Sequence, residues 1–284
     1  MSIAYVNGRY VPLAHASVHI QDRGFQFADA VYEVFAVQNG HLIDEEAHLD
    51  RLGRSLSELS IVEPMSRAAL KLVIRQLLRS NRIHNGGLYL QVSRGVAARD
   101  FTDPGGLQPT LVMTTWRLKP FDVEAALKGV NVITTHDIRW KRCDIKTVQL
   151  LAGVMAKTAA HAQGAAEAWL LDNDGLVTEG SASNAWIVTP DDELITHHTD
   201  TAILGGITRQ TVLKLATENG LKYVERAFSL EEAKGAREAF TTSSTVMVRP
   251  VVKIDDTHIN TGETGAFTRK IVELYGAYMQ DKAK

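Results

Sequence analysis

The chain contains the stretch Arg139-Trp140-Lys141-Arg142-Cys143-Asp144-Ile145-Lys146 between a segment predicted as an apolar strand and one predicted as an amphipathic helix. A lysine at such a boundary is suited to hold an aldehyde cofactor as a Schiff base. Further along, Glu179 lies in the polar run Thr178-Glu179-Gly180-Ser181-Ala182-Ser183-Asn184, and a carboxylate can tune the ring of such a cofactor. One lysine among thirteen is weak support by itself, so the interpretation depends on the rest of the chain.

Composition and charge limit the class of protein. At 284 residues the chain is long enough for two modest domains or one large one. Its 45% hydrophobic and 23% charged residues are typical of a soluble globular protein. The formal net charge of −2 provides no polybasic surface, and no apolar run reaches the roughly 20 residues that span a bilayer. We therefore expect neither a nucleic acid nor a membrane as its main partner.

Cysteine and histidine usage bears on compartment and metals. The single cysteine, Cys143, excludes an internal disulfide, and the N-terminal residues lack the charged and apolar regions of a signal peptide. Both observations predict a reducing, cytoplasmic compartment. The ten histidines are scattered apart from His197-His198, and no His-x-x-x-His pair falls on a predicted helix. The spacing therefore predicts no metal site.

The first half of the chain alternates turn signals with apolar runs. Asn7-Gly8 and Asn39-Gly40 are dipeptides that favour type I′ turns, and each predicts a β-hairpin. Asp44 is a candidate N-cap for a helix with leucines along one face. Further elements are predicted as a helix near 66–81 and strands at 87–93 and 110–116.

A domain boundary is predicted at 118–127, where a proline and a change in polarity interrupt the pattern. It separates a smaller N-terminal domain (1–117) from a larger C-terminal domain (128–284). Gly220 is predicted to end a helix. The C-terminal elements are predicted as helices at 147–163, near 207–219 and from about 265, and strands at 130–134, 167–171, 184–188, 193–196, 222–225, 238–241 and 246–253. The mixture predicts an α+β or α/β fold without the regular alternation of a doubly wound sheet.

Two segments are candidates for binding a phosphate. Gly205-Gly206-Ile207-Thr208-Arg209 precedes a predicted helix, whose first N–H groups and positive dipole end attract anions. Thr241-Thr242-Ser243-Ser244-Thr245 offers five hydroxyls where a strand ends. Taken singly, an ordinary turn entering a helix and a solvated loop explain them better, but together they offer one phosphate two sets of donors. Nucleoside triphosphate and dinucleotide sites are disfavoured, because neither glycine-rich phosphate motif occurs.

Three arginines of the first half are candidates for anion binding. Arg51 lies on the predicted helix after Asp44, where it is either an exposed surface charge or a fork for a phosphate. Arg94 and Arg99 follow a predicted strand. Arg99 is either a surface ion-pair partner or the group that binds a substrate carboxylate.

These segments closely resemble the fold type IV pyridoxal-phosphate transaminases, and within them the D-amino-acid transaminases (the D-alanine aminotransferase group). The resemblance extends over almost the whole chain. It is densest at Tyr5-Val6-Asn7-Gly8, Asp22-Arg23-Gly24, Val31-Tyr32-Glu33-Val34, His48-Leu49-Asp50-Arg51-Leu52, Arg139 through Lys146, Thr178-Glu179-Gly180 and Gly206-Ile207-Thr208-Arg209. The run 137–146 resembles the D-amino-acid branch rather than the branched-chain branch. It implies a small N-terminal α/β domain and a larger C-terminal domain with a β-barrel-like core.

The resemblance implies pyridoxal 5′-phosphate as cofactor and a role for each matched residue. Lys146 would carry the cofactor aldehyde as a Schiff base and then move a proton on the substrate. Glu179 would keep the pyridine nitrogen protonated, and Leu204 would pack against the ring. The phosphate would be held by Arg51, the turn at Gly206, the N–H groups of Ile207 and Thr208, and the Ser243-Ser244 pair.

The substrate side is also implied by the resemblance, with departures. Tyr32 would lie near substrate and cofactor, and Arg99 would reach the active site of a second subunit to bind the α-carboxylate, so a homodimer is expected. Phe101 stands where the D-specific pattern has a histidine, and Ala36 where it has an arginine. The segment after the hydroxyl run departs at Met247 and Arg249, of which Arg249 is a second candidate carboxylate contact.

The sequence-based hypothesis is a ping-pong transaminase that moves an amino group from a D-amino acid, of the D-alanine or D-glutamate type, to a 2-oxo acid. Phe101 and Ala36 make an (R)-selective amine transaminase the nearest alternative. Branched-chain L-amino-acid transamination and aminodeoxychorismate lyase activity are more distant alternatives. A non-catalytic cofactor carrier or a structural α+β protein forms a separate class, which would be colourless or would not be bleached by any amino donor.

Overall fold

The computed structural model describes residues 2–283, so Met1 and Lys284, the outermost positions of the two predicted domains, lie outside the described residues. The chain forms two compact units. Unit 1 comprises Met1–Pro120, Ile145–Gln149 and Gln280–Lys284, and unit 2 comprises Phe121–Asp144 and Leu150–Met279. The sequence interpretation had assigned the two short segments of unit 1 to the C-terminal domain. Ile145–Gln149 groups with unit 1 because its backbone pairs with a strand there.

Unit 1 is built on one antiparallel sheet. Its strands are β1 (Ile3–Val6), β2 (Arg9–Pro12), β3 (Ala30–Gln38), β4 (His41–Leu42), β5 (Gly86–Ser93) and β6 (Thr110–Arg117). They lie in the order β2-β1-β6-β5-β3-β4. The β1–β2 and β3–β4 turns have positive φ at both central residues, 43° and 88° at Asn7-Gly8 and 51° and 82° at Asn39-Gly40. Both predicted hairpins are confirmed.

The helices of unit 1 pack on this sheet. They are α1 (Arg23–Phe27), α2 (Glu45–Glu58) and α3 (Arg67–Asn81), with a 3-10 turn at Leu13–His15. α2 contacts β3, and α3 contacts β1 and β6. Ser66 caps α3 by accepting the N–H of Ala69. Asp44 occupies the N-cap position of α2 as predicted, but with φ 56° and without a capping hydrogen bond from its side chain.

Unit 2 is built on a mixed sheet that curls into a half-barrel. Its strands are β7 (Val130–His136), β8 (Glu167–Leu171), β9 (Leu176–Gly180), β10 (Asn184–Val188), β11 (Leu194–Thr196), β12 (Tyr223–Glu225), β13 (Phe228–Ser229), β14 (Glu238–Ser243), β15 (Met247–Ile254) and β16 (Thr257–His258). Their order is β12-β11-β10-β14-β15-β7-β8-β9-β13, with β16 on β15. The pairs β11–β12, β15–β7 and β7–β8 are parallel.

The helices and core of unit 2 follow from its apolar strands. The helices are α4 (Val123–Ala126), α5 (Leu151–Ala162), α6 (Ile207–Glu218), α7 (Leu230–Lys234) and α8 (Ala266–Lys282). Trp169 and Phe228 meet edge to face in the main core cluster, at 6.3 Å between ring centroids. Each fully buried side chain of this size stabilises the fold by about 1.5–3 kcal/mol.

Two helix ends test the sequence interpretation. Gly220 follows α6 with φ 65°, and its N–H and that of Leu221 bond to the carbonyls of Thr217 and Ala216. This is a Schellman motif, so the predicted helix-ending role of Gly220 is confirmed. The helix predicted at 147–163 begins instead at Leu151, because Thr147 forms a β-bridge with Val31.

The short elements escaped sequence prediction. α1, α4, α7, β13 and β16 are two to five residues long, which is too short for a periodic pattern. β9 was read only as a polar run, although it supplies Glu179 from a buried strand. No helix within residues 2–283 is both long and apolar enough to cross a membrane.

Candidate active site

The lysine singled out from the sequence lies beside β3 in unit 1. The N–H of Tyr32 donates to the carbonyl of Lys146 at 3.0 Å, and the N–H of Val148 donates to the carbonyl of Ala30 at 3.1 Å. These bonds extend the free edge of β3 and fix the backbone of Lys146. Its Nζ lies 4.2 Å from the centroid of the Tyr32 ring. The structure therefore brings together two of the predicted site residues, Lys146 and Tyr32.

The Tyr32 ring is itself held by a second tyrosine. The Tyr89 ring on β5 lies 5.6 Å from that of Tyr32, and the Tyr89 hydroxyl donates to Oε1 of Gln91 at 2.7 Å. Burial raises the pKa of Tyr89 to about 12, so it stays a neutral donor. Sequence reasoning missed Tyr89, because its position depends on the register of β3 against β5.

Arg51, predicted to bind phosphate, is fixed by a buried carboxylate. Its Nε and Nη2 donate to the two oxygens of Glu33 on β3, each at 2.8 Å. Glu33 is fully buried and also contacts Nδ1 of His48 at 2.7 Å. Burial alone would raise the pKa of Glu33, but Arg51 and His48 outweigh it and lower the pKa to about 2. The Arg51 side chain is therefore held in one orientation by an ionised partner.

Arg99 and Phe101 lie together on the loop after β5. The Arg99 guanidinium carbon is 5.7 Å from the centroid of the Phe101 ring and 5.1 Å from that of Phe27 at the end of α1. The Phe101 ring is 82% exposed. The neighbouring Arg94 is paired instead with Asp29, at 2.8 Å from Nε. Of the two arginines considered after β5, only Arg99 is left exposed for a ligand.

In unit 2, Glu179 is the centre of a buried network. Its carboxylate accepts hydrogen bonds from Arg139 Nη1, from Asn184 Nδ2 at 2.9 Å and from the backbone N–H of Leu204 at 3.1–3.2 Å. The Asn184 amide also donates to the carbonyl of Leu204 at 2.9 Å. Two predicted site residues, Glu179 and Leu204, are thus linked directly, and the carboxylate is held in a fixed direction.

Arg139 is the counter-charge of that carboxylate, a role that sequence reasoning did not assign. It donates to Asp137 from Nε at 2.9 Å and from Nη2 at 2.6 Å, and to the carbonyl of Ala202 at 3.0 Å. Burial disfavours its charge, but the hydrogen bonds and charges of Asp137 and Glu179 outweigh burial and raise the pKa of Arg139. The signal was present in the sequence, because Asp137 and Arg139 belong to the segment that carries the resemblance.

The N-terminus of α6 forms the predicted glycine-rich turn. Gly206 is the N-cap, and no side chain caps the helix. A Cβ on Gly206 would clash with Oδ1 of Asn184, so only glycine allows this approach. Ile207 and Thr208 are the first two helical residues, where backbone N–H groups have no partner within the helix. The turn therefore presents donors suited to an anion.

The predicted hydroxyl run divides into two parts. Thr241 and Thr242 are buried and bond to the Asn184 carbonyl and the Trp186 indole, at 3.0 and 2.9 Å. Ser243 and Ser244 lie at the partly exposed turn between β14 and β15. Since Thr242 is the register partner of Asn184, this turn begins beside the residue that Gly206 contacts. Unit 2 thus places both phosphate candidates at one end of its sheet.

These donors fit the chemistry of pyridoxal phosphate, the cofactor implied by the resemblance. The uncapped α6 N-terminus and the Ser243-Ser244 turn match a phosphate. Glu179, in the same unit and linked through Asn184 to Gly206, matches a protonated ring nitrogen. Lys146 and Arg51 belong to unit 1, and there they lie in separate contacts, Lys146 with Tyr32 and Arg51 with Glu33.

The structure bears on two further groups, the thiol of Cys143 and the cluster of His197, His198 and Asp200. Burial raises the pKa of the Cys143 thiol to about 11, so Cys143 is not a reactive thiolate near neutral pH. His197, His198 and Asp200 place possible metal-ligating atoms within 4.8 Å of one another. The two imidazole rings stack at 4.6 Å and 20°, and lone pairs in near-parallel planes do not converge on one ion. The absence of a metal site stays a prediction.

Comparisons with known proteins agree on one family. The family described as amino-transferase class IV matches residues 30–254. The D-alanine aminotransferase of Bacillus licheniformis is 42% identical over 98% of both chains, and that of Listeria monocytogenes serotype 4b is 39% identical over 95% of this chain and 93% of the relative. The solved structure of the branched-chain amino acid aminotransferase from Escherichia coli has a TM-score of 0.85 at 22% identity, covering 95% of this chain and 91% of that one. The fold class predicted from the sequence is confirmed.

Proposed function

This chain belongs to the class IV aminotransferases, a family of pyridoxal-phosphate-dependent enzymes, and on that premise we propose that it moves an amino group from a D-amino acid to a 2-oxo acid by a ping-pong mechanism. D-alanine and D-glutamate represent the proposed donor class. The support is the identity of 34–42% to D-alanine aminotransferases that match over almost their whole length. The likeness to the branched-chain enzyme at 22% identity supports the fold alone.

Lys146 is assigned as the catalytic amine. Bound pyridoxal phosphate supplies an aldehyde that accepts an amino group and a ring that withdraws electrons. Lys146 Nζ is proposed to bind that aldehyde, to be displaced by the donor, and then to carry the proton taken from the donor Cα. The face of Tyr32, 4.2 Å away, attracts the ammonium form of Nζ and keeps it in place between these proton transfers.

Glu179 is assigned to the pyridine nitrogen. Its carboxylate would accept the ring N–H and would thereby keep that nitrogen protonated. Arg139 and Asn184 hold the carboxylate through hydrogen bonds to different oxygens, so it needs no reorientation when the cofactor enters. Leu204 donates its backbone N–H to Glu179, and its side chain is proposed to line the ring face.

The phosphate is assigned to a set of neutral donors and to one arginine. The N–H groups at Gly206, Ile207 and Thr208 and the hydroxyls of Ser243 and Ser244 are the proposed neutral donors. Arg51 supplies the proposed positive charge, oriented by its two bonds to Glu33.

A homodimer is proposed, with Arg99 completing the site of the second subunit. The first turns of α5 expose a group of apolar side chains, which are 42–73% accessible in the single chain: Leu150, Leu151, Val154 and Met155. Contiguous apolar surface of this kind is typical of a protein interface. The molar mass in solution tests this proposal, and Leu151→Glu with Val154→Glu should convert a dimer to monomers. A cytoplasmic location is proposed from the single free cysteine.

The observation that carries the proposal is Lys146 Nζ held over Tyr32 at the edge of β3. Lys146→Ala should abolish turnover and remove the visible absorbance of the lysine-bound cofactor. Lys270→Ala on the exposed face of α8 is the matched control and should leave both unchanged. Visible absorbance that persists unchanged in Lys146→Ala would refute the assignment.

An (R)-selective amine transaminase is the second candidate function. It is favoured by the 82% exposed Phe101 ring beside Arg99 and by Ala36, which is buried in β3 and offers no charge. An apolar surface next to Arg99, the proposed carboxylate-binding group, would accept the phenyl group of an amine. Rates with D-alanine and (R)-1-phenylethylamine, measured on the same preparation, decide between the two donors.

A further inference from the structure

Arg99 is held by aromatic rings rather than by an acidic partner. Its guanidinium carbon lies 5.1 Å from the Phe27 centroid and 5.7 Å from the Phe101 centroid, and the two rings are 5.3 Å apart. Within residues 2–283, Arg99 donates no hydrogen bond and forms no ion pair. Its planar group is therefore restrained through its π contacts while its N–H donors remain available.

The neighbouring arginines already use their N–H donors in hydrogen bonds within the protein. Arg94 donates to both oxygens of Asp29, to Asp103 and to two backbone carbonyls. Arg23 donates to Asp29 at 2.8 Å and to the carbonyl of Asp100 at 2.7 Å. Neither has its guanidinium free for a new anion. The open donors of Arg99 are therefore a property of that residue and not of the local composition.

The aromatic contacts rest on a rigid base. Arg23 is 5% exposed and bonds to the carbonyls of Asp100, Phe101 and Thr102, which fixes the backbone that carries the Phe101 ring. The same guanidinium lies 4.9 Å from the Phe27 centroid. Arg23 thus anchors both rings that contact Arg99, although Arg99 and Phe101 are exposed.

We propose that Phe27 and Phe101 form an aromatic clamp that positions Arg99 to bind the α-carboxylate of the amino donor. The inference rests on the proposed function and names Phe27 and Phe101 as positioning residues. Phe101 thereby takes a different part from the histidine that the D-specific pattern has at this position: it orients the arginine and does not itself bind the carboxylate. Arg99 remains the group that touches the substrate.

The clamp predicts a selective effect on binding. An exposed cation–π contact contributes on the order of 0.5–1 kcal/mol, equivalent to about a two- to fivefold change in an equilibrium constant. Removing one ring by Phe27→Leu or Phe101→Leu should therefore weaken the binding of a carboxylate donor about two- to fivefold. The maximal rate of the half-reaction should stay the same, because neither ring is assigned to the proton transfers.

The experiment measures single half-reactions of the cofactor-loaded enzyme by absorbance, over a range of donor concentrations. D-alanine carries a carboxylate and (R)-1-phenylethylamine does not. Phe27→Leu and Phe101→Leu should raise the dissociation constant for D-alanine. Phe27→Leu should leave the dissociation constant for the amine unchanged, and Phe101→Trp should keep D-alanine binding at the wild-type level. Phe25→Leu is the matched control, since Phe25 is 74% exposed on the same helix and lies outside the clamp.

Titration of the same variants with propionate, an unreactive carboxylate, provides a readout without turnover. Propionate affinity should fall about two- to fivefold in both leucine variants and stay at the wild-type value in Phe101→Trp. Unchanged D-alanine and propionate binding in the leucine variants, or an equal loss for D-alanine and the amine in Phe27→Leu, would overturn the clamp. Failure of the wild-type protein to react with D-alanine would instead overturn the proposed donor class, and the propionate titration would still decide the clamp.

Discussion

Arg139 in unit 2 is mostly buried, with its side chain 14% exposed, and donates to Asp137, to Glu179 and to a backbone carbonyl. Arg99 in unit 1 is exposed, and within residues 2–283 it is held by cation–π contacts with Phe27 and Phe101 rather than by hydrogen bonds or ion pairs. Both are restrained, but by different means. The acidic partners of Arg139 consume its donors and fix a carboxylate that belongs to the protein. The aromatic partners of Arg99 consume none, which leaves the guanidinium ready for a carboxylate from solution. In the proposed roles, the way in which an arginine is held would distinguish a group that positions a cofactor from one that binds substrate.

Substitution of Arg139 should have the largest effect on stability. Arg139→Met leaves the buried Glu179 and the mostly buried Asp137 without their cation, and loss of one partner of a buried pair costs about 3–5 kcal/mol. We expect a drop of this size in the free energy of unfolding, measured with urea, and a weaker hold on pyridoxal phosphate. Arg142→Met is the control, because that side chain is 42% exposed. Equal losses of unfolding free energy in the two variants would show that the Arg139 network stabilises the protein no more than the exposed Arg142 does.

Glu33→Gln tests the same principle in unit 1. The variant removes the charge opposite Arg51 and should lower the free energy of unfolding at pH 7 by about 3–5 kcal/mol at most. The pKa of Glu33 is lowered to about 2 from 4.5, so its contribution is complete above pH 4.5 and is lost as the pH falls towards 2. The difference between wild type and variant, followed in urea, should therefore shrink over that range. A difference that is constant with pH would contradict the assignment.

Local and distant parts of this molecule differed in how far the sequence predicted them. The hairpins at Asn7-Gly8 and Asn39-Gly40 and the helix end at Gly220 depend on backbone preferences of neighbouring residues, and the structure has them as predicted. The start of α5 was wrong, because pairing of 145–149 with β3 overrides the helical pattern. Such pairing joins segments far apart in the chain, and no local periodicity reports it.

The candidate site shows the same division. Lys146, Glu179 and Gly206 were found from motifs, and their roles stay predictions. The groups that hold the site residues, Glu33 and Asn184 among them, stood in quoted segments but received no role, because their partners lie 5 to 20 residues away across helices and strands. Arg23, whose bonds to the Arg99 loop span 77–79 residues, lay in a matched motif but received no role.

Arg99→Ala tests whether the exposed arginine contributes to donor binding rather than to stability. Because Arg99 makes no ion pair or hydrogen bond among residues 2–283, its removal should cost at most its two exposed cation–π contacts, about 1–2 kcal/mol in the free energy of unfolding, which is less than the loss expected for Arg139→Met. Loss of a charge-assisted contact to the donor carboxylate, about 1.5–3 kcal/mol, should weaken D-alanine binding by roughly 10- to 150-fold. Thermal unfolding and the half-reaction are measured on one preparation. A large loss of stability with unchanged donor binding would reverse the roles given to Arg99 and Arg139.

Cys143 gives the smallest expected effect. It lies four residues after Arg139, but burial raises the pKa of its thiol to about 11 despite that positive charge. Thiol alkylation of the folded protein at pH 8 should therefore be much slower than alkylation of the urea-unfolded chain. Cys143→Ser should leave turnover nearly unchanged. Rapid alkylation at pH 8 would show that the Arg139 network activates the thiol.

The central claim, that this class IV aminotransferase uses a D-amino acid, is tested most directly by mixing the pyridoxal-phosphate-loaded enzyme with D-alanine or with L-alanine and following the visible absorbance of the cofactor. D-alanine should bleach the absorbance, a 2-oxo acid should then restore it, and L-alanine should leave it unchanged. Bleaching by L-alanine at the same rate, or none with D-alanine, would contradict the claim.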